Sequence, residues 1–454
     1  MAIRSLLIDA ANRAATYLET ISDRSVAPSP NSLTALRQLD TPLPAEPSDP
    51  AAILRQLDEI GSPATVATAG PRYFGFVIGG SLPATVAANM LAAAWDQPAG
   101  LVVASPATAV IETIALRWLL EALSLPASSA AGFVTGATMA NFSCLAAARH
   151  AMLARAGWDV ETKGLFGAPE IRVIVGDEVH VSALKALSLL GLGRERVIRV
   201  PTDSQGRMRA DALPALDAQT ILCLQAGNVN TGAFDPIAEL TARAHDAHAW
   251  VHVDGAFGLW AAAAPQRVAL IAGIEHADSW ALDAHKWLNV PYDSGVAICR
   301  DEPALRGAMG VRAAYLVQGA EREPSEYTPE LSRRARGVEV WAALSSLGRS
   351  GLAELIERSC AQAAMFAGGL RDAGFEILND VVLNQVLVSF GDDETTRRVV
   401  SGVQTDGTCW CGGTVWHDRT ATRISVSSWD ATDGDVRRSL GAMIRVARAV
   451  HAAR

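Results

Sequence analysis

AWVHVDGAFG, residues 249–258, and DSWALDAHKW, residues 278–287, decide how this chain folds. Each opens on a short run that is apolar on both faces and then meets a carboxylate, Asp254 in the first and Asp283 in the second. A strand buried on both faces belongs to a parallel sheet with helices on either side. Five further runs share that texture: AGFVTG (131–136), IRVIVG (171–176), RVIRVP (196–201), TILCLQAG (220–227) and GVAICR (295–300). Helical or turn-rich stretches separate them, so the spacing predicts a mainly parallel α/β sheet sandwiched by helices. After about residue 310 the texture changes. A polar segment leads to helices near 338–371, strand candidates FEILN, NQVLVSF and TRISVSS, and a last helix near 432–452. That pattern predicts a small α+β carboxy-terminal domain. Residues 1–60 alternate helical pattern with Pro/Ser-rich breaks and read as an arm. The expected organisation is an arm (1–60), a large α/β domain (61–310) and a carboxy-terminal domain (311–454).

The chain has 454 residues, half of them hydrophobic and 19% charged, which fits a globular protein of more than one core. Thirty-nine basic and forty-eight acidic side chains give a formal charge of −9. With no dense Lys/Arg run, that balance argues against nucleic acid or an anionic membrane as partner. Arg4 and Asp9 interrupt what would be a signal peptide's apolar stretch, so the amino terminus reads as an amphipathic helix. Pro and Gly punctuate the Ala-rich stretches near 82–110, and no run reads as a membrane-spanning helix. Six scattered cysteines make no disulfide framework. Cys409-x-Cys411 lacks a second pair at zinc spacing. The expectation is a cytoplasmic protein.

Open α/β sheets hold ligands beyond the carboxyl ends of their strands, and four polar features fall there in order. First, Gly136 ends a strand and a helix begins at Ala137-Thr138. Free N–H groups, small residues and the Thr138 hydroxyl suit an anion there, although a plain capped helix has the same pattern. Second, His180 stands where IRVIVG gives way to a helix. Its imidazole can lie flat on an aromatic ring, or simply cap the helix. Third, Asp254 closes a strongly apolar strand, and a buried carboxylate needs a cation such as a protonated pyridine nitrogen. Gly255 and Ala256 leave room for a flat ring beside it. His252-x-Asp254 also fits half of a metal site, but no third ligand has suitable spacing. Fourth, Lys286 follows DSWALD. Apolar surroundings disfavour its charged form, and a neutral amine is what imine formation with an aldehyde needs.

The words HVDGAFG, DAHKW and GAFDP (232–236), with Ser105-Pro106-Ala107-Thr108, Glu112, Trp118 and Leu125-Pro126, resemble the group II pyridoxal phosphate (PLP)-dependent amino acid decarboxylases. That family includes the aromatic amino acid and glutamate decarboxylases, and the likeness extends to sphingosine phosphate lyase. It runs from about residue 63 to the end. The resemblance implies fold type I of PLP enzymes, with a seven-stranded sheet, and a homodimer whose active sites lie at the subunit interface. It implies that Lys286 carries PLP as an imine and that Asp254 pairs with the pyridinium nitrogen. His180 would stack on the ring, Ala256 would pack beneath it, Ala137 and Thr138 would hold the phosphate, and His285 would line the site. Met139 stands where many relatives carry an acidic residue or serine. Gly227-Asn228-Val229 replaces a Gly-Thr-Thr, which puts Asn228 within reach of the ring's oxygen.

The reaction implied is decarboxylation of an L-amino acid. An aromatic one is favoured because Trp410, Trp416 and Trp429 can wall a pocket, although core packing accounts for them equally. The alternatives are a retro-aldol carbon–carbon lyase acting on a β-hydroxy amino compound, or an aminotransferase. DAHK resembles the phosphate lyase, and TRISVSSW resembles the tail of threonine aldolases. In other fold type I enzymes an arginine at the place of Arg423 grips the substrate carboxylate; pairing with a neighbouring acid is the other reading. A PLP-carrying protein without activity is disfavoured because Lys286, Asp254 and His180 are all present. The resemblance also puts a mobile loop between Tyr315 and Arg333, shorter than in animal relatives. A loop tyrosine protonates Cα there, a role that falls on Tyr327.

Overall fold

The structure, a computed structural model, describes residues 3–311 and 322–453. Seven strands form the main sheet: β1 (Ala130–Val134), β2 (Arg172–Gly176), β3 (Ile198–Val200), β4 (Thr220–Gln225), β5 (Trp250–Asp254), β6 (Ser279–Asp283) and β7 (Gly295–Cys299). All seven fall on the runs expected from sequence. Their order is β1-β7-β6-β5-β4-β2-β3. Strands β6, β5, β4, β2 and β3 pair in parallel, while β7 runs antiparallel between β1 and β6. β1, β4, β5, β6 and β7 are buried along their whole length. That burial accounts for their unbroken apolar character.

The helix Ala137–Arg155 lies on this sheet through small side chains, with Ala140 and Cys144 against Val134, Ala281 and Ala297. Close approach also explains two glycines. A Cβ on Gly295 would lie 2.4 Å from the Cα of Gly136, and one on Gly136 would lie 3.1 Å from the His285 ring. The turn that starts the helix therefore sits directly on β7.

Contacts divide the chain at other places than the sequence suggested. One unit comprises residues 81–361 with 379–385, the other 1–80 with 362–378 and 386–454. The boundary expected at 310 is corrected because residues beyond it are tied into the large unit. Ser325 N–H donates to the Gly100 carbonyl at 2.9 Å, and Arg333 donates to the carbonyls of Ala99 and Phe133 at 2.9 and 3.0 Å. The helix Gly337–Asp372 then runs from the large unit's residues into the small unit's, with a break at Gly348, where φ is 58°.

In the small unit, β8 (Glu376–Ile377), β9 (Gln385–Ser389), β10 (Gly412–Trp416) and β11 (Arg419–Ser425) form a sheet of order β10-β11-β9-β8. The sequence reading missed β10, whose two glycines and alternating exposure give no apolar run. Residues 72–74 are stitched to the carboxy-terminal part of this unit. Trp410 N–H donates to the Arg72 carbonyl, Phe74 N–H to Trp410, and Ser425 N–H to Phe74, at 3.1, 2.8 and 2.9 Å. Tyr73 stacks on Trp410 with ring centroids 4.9 Å apart, and Trp416 packs in the core with Leu387 and Ala421. The amino-terminal segment packs within the small unit, where Val26 N–H donates to the Gly407 carbonyl at 2.9 Å. Among the described residues no helix is long and apolar enough to cross a membrane.

Candidate active site

Parallel pairing brings the carboxyl ends of the central strands to one edge. Gln225 faces Asp254, Asp254 faces Ala281, and Gly295 of β7 faces both Asp283 and Val134. The turn after β1 and the ends of β4, β5 and β6 therefore share that edge.

Lys286 lies in the tight turn after β6. Its Nζ is 2.9 Å from Asp283 Oδ2, so the amine has a carboxylate partner instead of the apolar surroundings expected. The turn itself is rigid. The N–H groups of Ala284 and His285 both donate to the Ser294 carbonyl, Trp260 Nε1 donates to Asp283 O at 3.1 Å, and Trp287 and Leu288 are fully buried. Asp283 Oδ1 also accepts the Ala137 N–H at 2.6 Å, at the start of the helix Ala137–Arg155. One carboxylate thus joins the lysine to a helix amino terminus. With the Ala137 N–H taken, the first-turn N–H groups of Thr138 and Met139 and the half-exposed Thr138 hydroxyl are left to meet an anion.

His285 beside the lysine accepts the Ser294 N–H on Nδ1 at 3.1 Å, which leaves its proton on Nε2, 3.5 Å from Asp283 Oδ1. Burial pushes its pKa down, against the pull of Asp283. Tyr292 stacks on the ring at 4.2 Å between centroids.

Asp254 is 8% exposed and fully engaged. Its Oδ1 accepts the Ala256 N–H at 3.2 Å; its Oδ2 accepts from Asn141 Nδ2 at 2.9 Å and from Ser182 Oγ at 3.3 Å. His180 caps the helix Val181–Leu189, as the plainer reading had it, and its Nδ1 lies 2.7 Å from Ser182 Oγ. His180 is only partly buried. Asn228, after β4, closes its own turn: Oδ1 accepts from the N–H groups of Asn230 and Thr231 at 2.9 and 3.2 Å. Its Nδ2 is buried with no hydrogen-bond partner among the described residues, a donor that a ligand oxygen can satisfy.

Thr138, His180, Ala256 and Lys286 are partly exposed, Ala256 and Lys286 amid buried neighbours, as residues that line a cradle are. The donor set suits a flat heteroaromatic aldehyde with an anionic group: an anion-accepting helix start, an amine, a buried carboxylate for a ring cation, and an orphaned amide donor. PLP fits it.

Arg423 and Tyr327 are the remaining expected residues. Arg423 is in the small unit, on β11 opposite Gly412, where burial pushes its pKa down. Tyr327 is not on an exposed loop, and that expectation is corrected. It is 4% exposed and shares a core cluster with Ala130, Cys299 and Leu305, at the amino-terminal end of β1. Its hydroxyl donates to Glu302 Oε1 at 2.5 Å, and the Arg322 guanidinium lies 4.1 Å over its ring. Tyr315 and Glu321 lie outside the described residues.

Sequence reasoning missed Asn141, Ser182 and the double role of Asp283. A signal was present for Asn141: it stands one helical turn after Ala137, on the face that turns toward the sheet.

Comparison with known proteins agrees with this chemistry. Residues 30–391 match the family model described as the pyridoxal-dependent decarboxylase conserved domain. Tryptophan decarboxylase 1 of Oryza sativa subsp. japonica is 27% identical over 94% of this chain and 90% of its own length. Tyrosine decarboxylase of the same plant is 31% identical over 80% of this chain and 72% of its own. The crystal structure of Oryza sativa TDC with PLP and tryptamine superposes with a TM-score of 0.90 at 23% identity, covering 98% of both chains, and so shares the fold. Its fold, cofactor and lyase chemistry are accordingly those of fold type I, and this chain belongs to the pyridoxal-dependent amino acid decarboxylases.

Proposed function

We propose that this enzyme removes the α-carboxylate of an L-amino acid with an aromatic side chain, working from the edge formed by β1, β4, β5 and β6. The observation that carries the site assignment is the convergence there of Lys286, Asp254 and the helix start at Thr138. When bound, PLP supplies a conjugated cationic ring that takes up the electron pair left on Cα as carbon dioxide departs. Lys286 Nζ is the amine that would hold the cofactor's aldehyde, and Asp283 Oδ2, 2.9 Å away, would hold that amine whenever it is free and protonated. Asp254 would keep a proton on the ring nitrogen. His180 and Ala256 would hold the ring, Thr138 would receive the phosphate, Asn228 Nδ2 would donate to a ring oxygen, and His285 would wall the site beside the lysine. The Ala137 N–H serves Asp283, so its part in the phosphate site is confined to leaving room for it.

The names of the rice relatives support an aromatic substrate. So does Tyr292, stacked on His285 one residue from Lys286 and 55% exposed. The chain also acts as a cytoplasmic homodimer with shared sites. Exposed apolar residues of the helices Ile3–Thr20 (Ile3, Leu7, Ile8) and Pro83–Trp95 (Met90, Leu91, Trp95) support association, and six free, buried cysteines fit a reducing compartment. The test is to incubate purified protein with a panel of L-amino acids, assaying carbon dioxide, amine and aldehyde separately and mass by sedimentation. Carbon dioxide and amine from tryptophan, tyrosine or phenylalanine are expected. Activity confined to acidic or basic amino acids overturns the substrate class, and a fully active monomer overturns the dimer.

A further inference from the structure

Beneath Asp254 runs a line of buried polar groups that no step above uses. His252, two residues earlier on β5, has Nε2 2.8 Å from Asn141 Oδ1 and Nδ1 2.9 Å from Ser279 Oγ. Ser279 Oγ accepts the Trp250 Nε1–H at 3.0 Å. His252, Asn141 and Ser279 are fully buried, so water does not substitute for any of these partners.

Donor and acceptor rules fix the direction of the line. Trp250 Nε1 can only donate, so Ser279 Oγ accepts there; Asn141 Oδ1 can only accept, so His252 Nε2 donates to it and the Nδ1 of a neutral ring takes the Ser279 proton. Burial pushes the His252 pKa down to about 4, so the ring is neutral and its proton is on Nε2. That proton goes to Asn141 Oδ1, which turns Asn141 Nδ2 toward Asp254 Oδ2. Every donor points the same way, and the line ends on a carboxylate that only accepts. Hydrogen bonds aligned head to tail strengthen one another in a low-dielectric interior, and the last favours the charged form of its acceptor. Cys144 of the overlying helix and Cys223, which faces His252 from β4, are thiols that burial pushes up to about 12. They are neutral and do not compete with Asp254 as anions. His180, through Ser182, reaches the same Asp254 oxygen from the other side.

We infer that His252 is a positioning residue: through Asn141 it holds Asp254 ionised and in one rotamer, and so sets how firmly the PLP ring nitrogen keeps its proton. This rests on the assignment of Asp254 to that nitrogen. The same pair of side chains that resembles half a metal site is thereby a carboxylate and its support.

The experiment reconstitutes the enzyme with PLP labelled with nitrogen-15 in the ring and follows the nitrogen shift against pH. His252→Leu removes the line; His252→Gln keeps an acceptor toward Ser279 and a donor toward Asn141. In His252→Leu the ring nitrogen should lose its proton about one pH unit lower than in wild type. That tenfold change corresponds to about 1.4 kcal/mol, the scale of one buried hydrogen bond. His252→Gln should restore most of the difference. If His252→Leu does not fold, Ser279→Ala cuts the same line and is read in the same way. A wild-type titration in His252→Leu or Ser279→Ala, with a deprotonated ring in Asp254→Asn, overturns the role of His252 alone. A protonated ring in Asp254→Asn overturns the assignment of Asp254 itself.

Discussion

The Nζ of Lys286 lies 2.9 Å from Oδ2 of Asp283, and the other oxygen of that carboxylate accepts the Ala137 N–H at the start of a helix. The lysine and the anion-accepting turn are therefore set by one side chain. Asp283→Ala leaves the Ala137 N–H buried and unpaired, which costs about 1–3 kcal/mol. A lower melting temperature, and slower uptake of PLP by the apoprotein, are expected from calorimetry and absorbance. An unchanged melting temperature would show that the helix start finds another acceptor.

Lys286→Ala should abolish the yellow imine absorbance, leaving at most PLP that dialysis removes. Borohydride treatment followed by peptide mapping checks this directly. A label on a different lysine moves the cofactor elsewhere.

Asp254→Asn should still bind PLP but turn over more slowly by two to three powers of ten. A buried charge-assisted pair is worth several kcal/mol, and roughly 1.4 kcal/mol corresponds to a tenfold change in rate. Steady-state kinetics decide it, and near-normal kcat would mean that Asp254 serves another partner.

Tyr327→Phe should lower stability and leave kcat alone. Its hydroxyl is committed to Glu302, far along β1 from the turn at Gly136. Burial, with help from the Glu302 hydrogen bond, pushes the phenol up to about 12. An unfolded tyrosine ionises near 10, so the folded chain binds the proton more tightly between those values. Its contribution is complete below pH ~10 and is lost as pH rises toward 12. Wild type should therefore lose its advantage over Tyr327→Phe in alkaline melts. A Phe variant that folds normally but stalls in turnover would return Tyr327 to the mechanism.

Acid acts on His252 in the opposite sense. Its folded pKa is pushed down to about 4, while an unfolded histidine titrates near 6.5. Above that value the group adds no pH dependence; as pH falls below it, the unfolded chain takes up a proton that the folded one refuses. Stability then drops until about pH 4. Melts of His252→Gln should show less acid sensitivity than wild type over this window. Parallel curves would place a charged, and therefore solvated, imidazole at position 252.

Five strands of the main sheet, β1, β4, β5, β6 and β7, were legible because burial on both faces leaves an apolar run. The chemistry was legible wherever it stood at the end of such a run, as Asp254 and Lys286 do. What the runs concealed is lateral. Asn141 comes 113 residues before Asp254, and Ser182 and Ser279 arrive from separate elements, so no local pattern marks them as one group. Tyr327 misled for a related reason. Two prolines and nearby charges read as an exposed loop, yet the Tyr327 hydroxyl is bound to Glu302 and the Arg322 guanidinium, itself paired with Glu112, covers its ring. The domain boundaries failed because a helix of 36 residues gives no break where the contacts change sides.

Residues 72–74 are held by main-chain bonds to Trp410 and Ser425. A chain leaving the ribosome exposes the first of these segments more than three hundred residues before its partners exist. The large unit has all its residues by position 385 and can fold while synthesis continues. The small unit must wait for the last strands. Until then Tyr73 and Phe74, in the stretch PRYFGF at 71–76, lack their partners Trp410 and Phe366 in the completed fold.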